Sequence, residues 1–375
     1  MKIGIAKETI SGEKRVALTP ESVKKLKGLG NEIYFQSGAG IGANYSDKEY
    51  ADAGASDINS FEKLAETVDV LLKIRPPSEK ETLSLKNNSI LISFQDPMDN
   101  AANIQKFAEK KITAFAVEFI PRITLAQSMD VLSSMATIAG YRAVLEAAHH
   151  FGRFMPMFMT AAGTIPPARA LILGAGVAGL QAIATAKRLG AIVEVFDVRP
   201  AAKEQVESLG GKFIEMELDH SAQDSQGYAK EMTAEFIKKE MELIETHLSK
   251  ADICVTTAQV FGKKAPVLIK DYMIPKMKAG SVIVDIAVEQ GGNCELSKPG
   301  EIVEVNGVKI VGPLNLVSSM AEHASKMYSK NMENLLLYLI KEGKINPDAS
   351  DEITTRTLLT RSGEMVSEIV KKARG

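Results

Sequence analysis

Residues 171–176 read LILGAG and run into Val177-Ala178-Gly179, and a second apolar run, Ile192 to Phe196, ends on Asp197. The glycines at 174, 176 and 179 match G-x-G-x-x-G, which sets a tight turn between a strand and a helix. Gly174 allows the turn, Gly176 lets a diphosphate approach the backbone, and Gly179 lets the helix pack closely on the strand. The first N–H groups of the helix Val177 to Leu189 have no partner within the helix, and with the helix dipole they suit phosphate oxygens. An acid at the end of the second strand accepts both hydroxyls of an adenosine ribose and repels a 2′-phosphate. The expected cofactor is therefore NAD(H) and not NADP(H). A lone glycine triplet is usually an ordinary turn. Here strand, helix, second strand and terminal acid all stand in register.

The rest of the chain fits a two-domain enzyme. Its 375 residues, 45% hydrophobic and 25% charged with a formal net charge of -2, suffice for two domains and carry no basic excess to suggest nucleic acid. Cys254 and Cys294 have neither metal-site spacing nor a disulfide framework; they read as buried structural thiols in a reducing cytoplasm, and no metal is expected. The start, MKIGIAKE, reads as a strand and not a signal peptide, and the apolar run Leu335 to Ile340 is too short to span a bilayer.

Short apolar strands alternate with helical patterns throughout, which predicts an α/β protein with doubly wound parallel sheets. Lys2 to Ala6, Glu32 to Phe35, Val70 to Ile74, Ile90 to Phe94 and Thr113 to Val117 read as strands of a first sheet. Thr19 and Pro20 open one intervening helix, which Gly28 and Gly30 close, and Ser46 with Glu49 forms a capping box for another. A long helix, Ser133 to His150, leads to a second sheet. Its strands are Ala170 to Leu173, Ile192 to Phe196, Lys212 to Glu215, Asp252 to Val255, Ser281 to Asp285 and Lys309 to Val311. The helical segment Ser319 to Lys341 is expected to return to the first domain, making it discontinuous: residues 1–132 with 319–375, against 133–318 for the nucleotide domain.

Two stretches exceed a plain scaffold. Pro121 to Ser134, PRITLAQSMDVLSS, lies past the carboxyl end of a strand, where parallel sheets present ligands, and carries Arg122, Gln127, Asp130 and Ser133. It also reads as a loop entering a helix, with Asp130 or Ser133 as cap. Glu217 to Glu235 is a long polar interval with Gly227-Tyr228 inside it, either a disordered insertion or a lid.

With these residues in view, the chain resembles the NAD(H)-binding domain I component of proton-translocating nicotinamide nucleotide transhydrogenases over nearly its whole length. Arg15-Val16-Ala17 with Pro20, PRITLAQSMDVLSS, MTAAGTIPPARALILGAGVAGLQAIATAKRLGA, DVRPAAKEQVESLGGKF, GYAKEM and VDIAVEQGGNCELS carry the match. The same architecture serves alanine dehydrogenases, which are the alternative. An amino-acid dehydrogenase needs an acid or base tuned near neutrality. Alanine dehydrogenases place a histidine after the strand corresponding to Leu91–Phe94, where this chain has Gln95-Asp96-Pro97, and Glu289 stands at the position of their essential aspartate. Arg15 and Lys73 match substrate positions of that family, either as a residual carboxylate site or, as basic residues at strand ends usually are, solvated. A binding protein with a relic nucleotide site is a third class, disfavoured because the whole loop set is present.

The resemblance implies two Rossmann-like domains flanking a nucleotide-binding cleft, and a Re/Si-specific, proton-translocating NAD(P)+ transhydrogenase activity that needs partner subunits. Hydride would pass directly between NAD(H) bound here and NADP(H) on a partner, so orientation is the task. It implies that Gln127 holds the nicotinamide ribose, that Asp130 and Ser133 orient the carboxamide, and that Arg122 contacts the diphosphate or fixes the loop. Ser128, Met129, Val198 and Arg199 join the cofactor-binding set with Gly174, Gly176, Val177, Gly179 and Asp197; Gly227 and Tyr228 lie on the lid, and Ala258 and Gln259 line the adenine pocket. It also implies a homodimer, peripheral at the cytoplasmic face of the inner membrane, associated with membrane-embedded subunits that include the NADP(H)-binding beta-type subunit. The charged helix ending at Gly375 matches the free alpha-type subunit, or an excised fragment of a longer chain.

Overall fold

The computed structural model describes residues 1–216, 234–259, 262–347 and 350–374. They form two compact units, Met1–Met135 with Val317–Gly375, and Ala136–Leu316. In the first, β1 (Lys2–Ile5), β2 (Glu32–Gln36), β3 (Ser56–Ile58), β4 (Val70–Leu72), β5 (Ile90–Ser93) and β6 (Thr113–Ala116) run parallel. The second opens with the hairpin β7 (Phe158–Thr160) and β8 (Gly163–Ile165). Its main sheet holds β9 (Arg169–Leu173), β10 (Ile192–Phe196), β11 (Lys212–Phe213), β12 (Ile253–Thr256), β13 (Val282–Asp285), β14 (Ile302–Val305) and β15 (Val308–Val311). The chain then re-enters the first unit through the helix Ala321–Leu339, the hairpin β16 (Ile340–Lys341) and β17 (Lys344–Ile345), and β18 (Leu358–Arg361) and β19 (Glu364–Met365).

The sheets are ordered β19-β18-β6-β5-β4-β1-β2-β3 and β11-β10-β9-β12-β13-β15-β14. In each, the parallel strands reverse direction of winding beside the first strand, between β1 and β4 and between β9 and β12, and ligands bind at the carboxyl ends of such switch points. The second sheet is covered on both faces. Strand β9 sends Ala170 and Ile172 into one core with Val255, Val282 and Val284, and Leu171 and Leu173 into another with Cys254 and Ile283. That alternation is the two-residue period of a strand buried on both sides. Both cysteines are reduced and lie in the second core, where burial pushes the Cys294 thiol up to about 12.

The returning segment is held by serine hydroxyls. Lys14, Val16 and Thr19 donate their backbone N–H groups to Ser318, Ser325 and Ser329 Oγ at 2.7, 3.0 and 2.9 Å, and Ser22 donates to Glu333 Oε2 at 2.8 Å. Thr19 therefore faces Ser329 and makes no side-chain cap to the helix Pro20–Gly28. The capping box of Ser46 and Glu49 is formed as expected. Sequence periodicity missed the short or polar edge strands β3, β14 and β19, the strand β18 between β6 and β19, and the hairpins β7–β8 and β16–β17. Of the polar interval 217–235, residues 217–233, with Gly227 and Tyr228, lie outside the described residues; Ala234 and Glu235 open the helix Ala234–Leu248.

Arg15 and Lys73 are not solvated: each is buried, at 4% and 1% exposure. Arg15 clasps Glu13 through Nε at 2.7 Å and Nη2 at 2.5 Å, and Lys73 reaches Glu81 at 3.2 Å and Glu8 at 3.5 Å. Burial pushes the Glu13 carboxyl up, but Arg15 outweighs it and the net value falls to about 2.

Glu118, also buried, accepts the backbone N–H groups of Gln95 and Asp96 through Oε1 at 2.9 and 2.8 Å. Desolvation dominates at this group and raises it from 4.5 to about 7. The stability tied to its protonated form is thus complete below the unfolded value and is lost as pH rises through the folded one. Glu118→Gln keeps an acceptor for both N–H groups and cannot ionise. Urea unfolding from about pH 5 to about pH 8 should show the variant losing less stability than the wild type, by up to roughly 3 kcal/mol. Parallel pH profiles would show that Glu118 does not titrate on unfolding.

Candidate functional site

The three fingerprint glycines are required for three different reasons. Gly174 has φ 99°, a left-handed conformation, and a Cβ there would lie 2.6 Å from Thr257 Oγ1. At Gly179 a Cβ would lie 1.8 Å from the Gly174 carbonyl oxygen, so the helix Val177–Arg188 can rest on β9 only without a side chain at that point. The same helix is approached from its other side by Gly140, whose Cβ would meet the Ala178 carbonyl oxygen at 2.0 Å. Gly176 differs: a Cβ would have nothing within 4 Å. No packing contact of the unit demands glycine there. The space above it is open, in front of the unpaired N–H groups of the helix start, and a diphosphate fits that place.

Asp197 follows β10 and accepts the Ala175 N–H through Oδ2 at 2.7 Å, which ties the strand end to the glycine turn. Burial pushes its carboxyl up, but the bonds from Arg199 and from the Ala175 N–H outweigh that and hold it below the usual range. Val177 and Val198 are exposed at this edge, apolar surfaces of the kind an adenine ring covers. Ala258 is half-buried and Gln259 exposed; Gln259 Nε2 donates to the Ile286 carbonyl at 3.4 Å.

Ala258 is positioned by a residue that spacing did not single out. The fully buried Asn293 accepts the Ala258 N–H at 3.0 Å and donates Nδ2 to the Ala258 carbonyl at 2.8 Å and to that of Pro266 at 2.8 Å. Its own loop is fixed by Asp285, also fully buried, which accepts Thr256 Oγ1, Ala287 N, Cys294 N and Ser297 Oγ. The signal was present in the run GGNCELS, but the partner lies on another strand's loop.

The remaining candidates share one segment of the first unit. Arg122, Gln127 and Ser128 are exposed on or beside the 3-10 turn Thr124–Met129, and Met129 is buried beneath it with Ala126. Asp130 caps the helix Val131–His150, accepting the Ser133 N–H through Oδ1 at 2.9 Å and the Ser133 hydroxyl through Oδ2 at 2.6 Å. The cap reading of this stretch is therefore correct as local structure, and it fixes the rotamers of both polar side chains. The turn is anchored by Asn331 and Asn334, one helical turn apart on Ala321–Leu339, which both donate to the Ser128 carbonyl at 2.9 and 3.1 Å.

A cavity of about 790 Å³ in the second unit lies at the opposite, amino edge of the sheet, lined by Phe154, Ile165, Pro166, Pro167, Arg169 and Lys278 among others. The carboxyl edge is the candidate nucleotide site, because the open Gly176, the start of the helix Val177–Arg188 and the carboxylate of Asp197 coincide there. Among the described residues, no group of three His, Cys, Asp or Glu side chains could hold a metal ion.

Stability and binding separate at these glycines. Gly179→Ala should destabilise the second unit by about 2–4 kcal/mol, since only backbone lies in the way. Gly176→Ala should leave Tm nearly unchanged while weakening NADH at least roughly tenfold, as its methyl group fills ligand space. Calorimetric melting and titration of both variants test this; equal NADH affinity in Gly176→Ala and wild type would remove the diphosphate from this turn.

The sequence profile of the alanine dehydrogenase/PNT N-terminal domain matches residues 4–139, and that of the C-terminal domain matches residues 143–368. The first of the polypeptides that make up NAD(P) transhydrogenase subunit alpha in Rhodospirillum rubrum is 49% identical over 98% of both chains. The crystal structure of transhydrogenase from Sinorhizobium meliloti, 46% identical, aligns over 98% of this chain and 100% of its own with a TM-score of 0.89. An L-alanine dehydrogenase structure, 26% identical, aligns over 100% of this chain and 99% of its own with a TM-score of 0.84. With both domain profiles matched in order and the fingerprint edge built as described, the chain belongs to the alanine dehydrogenase/PNT family.

Proposed function

We propose that this chain is the NAD(H)-binding component of a Re/Si-specific, proton-translocating NAD(P) transhydrogenase, catalytic only with partner subunits. The observation that carries the reading over amino-acid oxidation is Gln95. It stands where alanine dehydrogenases have their histidine, and it is fully buried with Nε2 donating to Ser93 Oγ at 2.8 Å. An amide moves no proton, and hydride exchange between two nicotinamides needs none. The charges of Arg15 and Lys73 are matched inside the unit by Glu13, Glu8 and Glu81, which disfavours a substrate carboxylate there. The second reading, an alanine dehydrogenase, keeps two supporting features, the neighbouring carboxyls of Asp96 and Glu118, both pushed up by burial, Glu118 to about 7.

When bound, NAD(H) supplies the hydride, and NADP(H) on the beta-type partner receives or returns it. The residues of this chain bind and orient. Gly174, Gly176, Val177 and Gly179 cradle the diphosphate; Asp197 reads the adenosine ribose, with Val198 and Arg199 beside it; Ala258 and Gln259 line the adenine side. Gln127 holds the nicotinamide ribose, with Ser128 and Met129 shaping the turn. Asp130 and Ser133, locked to each other, present an acceptor and a hydroxyl to the carboxamide, and Arg122 fixes the diphosphate or the loop. In this reading proton translocation falls to membrane-embedded partners, and this chain is peripheral at the cytoplasmic face of the inner membrane; no described helix is long and apolar enough to cross a membrane.

The second unit's hairpin supports a homodimer. All six strand residues of β7 and β8 are exposed, and Phe154, Met157, Phe158, Met159 and Ile165 form an apolar surface that continues into the amino-edge cavity. A two-stranded hairpin has little stability uncovered, and a second copy supplies a cover on both sides of a two-fold axis. Sedimentation should give a dimer for the wild type and a monomer for a Phe158→Asp, Met159→Asp double variant; an unchanged dimer would place the interface elsewhere.

Reaction with a partner subunit tests the activity. Gln127→Asn should slow transfer to partner-bound NADP by roughly tenfold or more while changing NADH affinity less than about twofold, since shortening the side chain disturbs ring approach more than binding. L-alanine should reduce no NAD on the isolated chain. Robust NAD reduction by L-alanine would reinstate the amino-acid dehydrogenase, and unimpaired transfer in Gln127→Asn would remove the role given to Gln127.

A further inference from the structure

The acid that reads the ribose is already saturated from within the chain. Asp197 Oδ2 accepts the Ala175 N–H at 2.7 Å and Arg199 Nη2 at 2.9 Å; Oδ1 accepts the Arg199 N–H at 2.8 Å and Arg199 Nε at 2.9 Å. A carboxylate has about four acceptor positions, and these four donors fill them. Two are backbone groups fixed by the turn. The other two belong to one guanidinium whose side chain is 60% exposed, while that of Asp197 is 6% exposed. Among the described residues Asp197 alone accepts that guanidinium, and it has no lone pair left for two ribose hydroxyls while Arg199 stays.

We propose that Arg199 is a specificity residue: its Nε and Nη2 hold the face of Asp197 that reads the ribose diol until NAD(H) displaces them. The proposal rests on the carboxyl edge of the second unit being the NAD(H) site, and it adds a competitor to that site. The exchange conserves hydrogen bonds, because two O–H donors replace two N–H donors and the carboxylate is satisfied before and after. The two nucleotides meet this pair differently. NADH must break the bidentate contact to reach Asp197. NADPH carries a 2′-phosphate that Asp197 repels and a neighbouring guanidinium attracts, so Arg199 favours it where it stands. Arg199 therefore weakens NADH, strengthens NADPH, and narrows the preference that Asp197 alone would set.

Titration of the full chain with NADH and with NADPH, at low salt, tests this in wild type, Arg199→Ala and Arg199→Lys. An exposed ion pair is of modest strength, so Arg199→Ala should bind NADH about three- to tenfold more tightly. It should bind NADPH more weakly, so the ratio of the two affinities widens. Arg199→Lys should fall between, because one ammonium does not span both carboxylate oxygens. The gap between wild type and Arg199→Ala should shrink as salt screens the pair. A merely structural role for Arg199 would weaken both nucleotides together. If the wild type binds NADH and Arg199→Ala binds it equally or less tightly, the proposal is overturned and the site reading stands; if the wild type binds no NADH, both fall.

Discussion

The seating of one helix on one strand governs what the second unit can do. Gly179 lies so close to the Gly174 carbonyl that any side chain would part them, and Gly140 imposes the same closeness on the helix's other side. Held between these contacts, the helix Val177–Arg188 has its N-terminus fixed beside the ends of β9 and β10. The left-handed Gly174 turns the chain there, and the Ala175 N–H reaches Asp197. A backbone geometry thus becomes an electrostatic one: helix N–H groups with their dipole and a carboxylate held below its usual range lie on a single edge, which the proposed nucleotide site uses.

The first unit uses its polar residues differently. Serines on and just before Ala321–Leu339 bind the backbone of Lys14, Val16 and Thr19, so a segment from the end of the chain completes a fold begun at its start. Asn331 and Asn334 on the same helix hold the Ser128 carbonyl, and the Asp130–Ser133 pair locks the next turn. The exposed Gln127 is therefore carried by a turn fastened at both ends. For a reaction that depends on the approach of two rings, such stiffness matters more than any ionisable group.

What was legible in the sequence was local. The glycine fingerprint, the acid after the second strand and the Ser46–Glu49 box are set by spacings of a few residues, and spacing is visible. Long-range partners are not. Nothing near Asn293 reveals that it will grip Ala258, and nothing near Lys73 reveals that Glu8 will help bury it; Glu13 is two residues from Arg15, yet that spacing alone does not announce a buried pair. The strand read as Val70 to Ile74 stops at Leu72 because the Ile74 N–H turns to Glu8 Oε1, a side chain, at 2.6 Å. Edge strands such as Ser56–Ile58 carry no apolar run, because pairing on one side alone supports them. The candidate nucleotide residues, Arg199 among them, could be named from the sequence, but the bidentate contact of Arg199 on Asp197 could not.

Central to the proposed activity is that this chain orients one nicotinamide for direct exchange with another and takes no part in moving protons. The most direct test follows the hydrogen itself. NADH deuterated stereospecifically at C4, this chain, the NADP(H)-binding partner and NADP should be combined, and the products and solvent analysed by mass spectrometry. Direct exchange predicts that all transferred deuterium appears at C4 of NADPH and none in water. Deuterium in the solvent, or NADPH formed without the label, would contradict it.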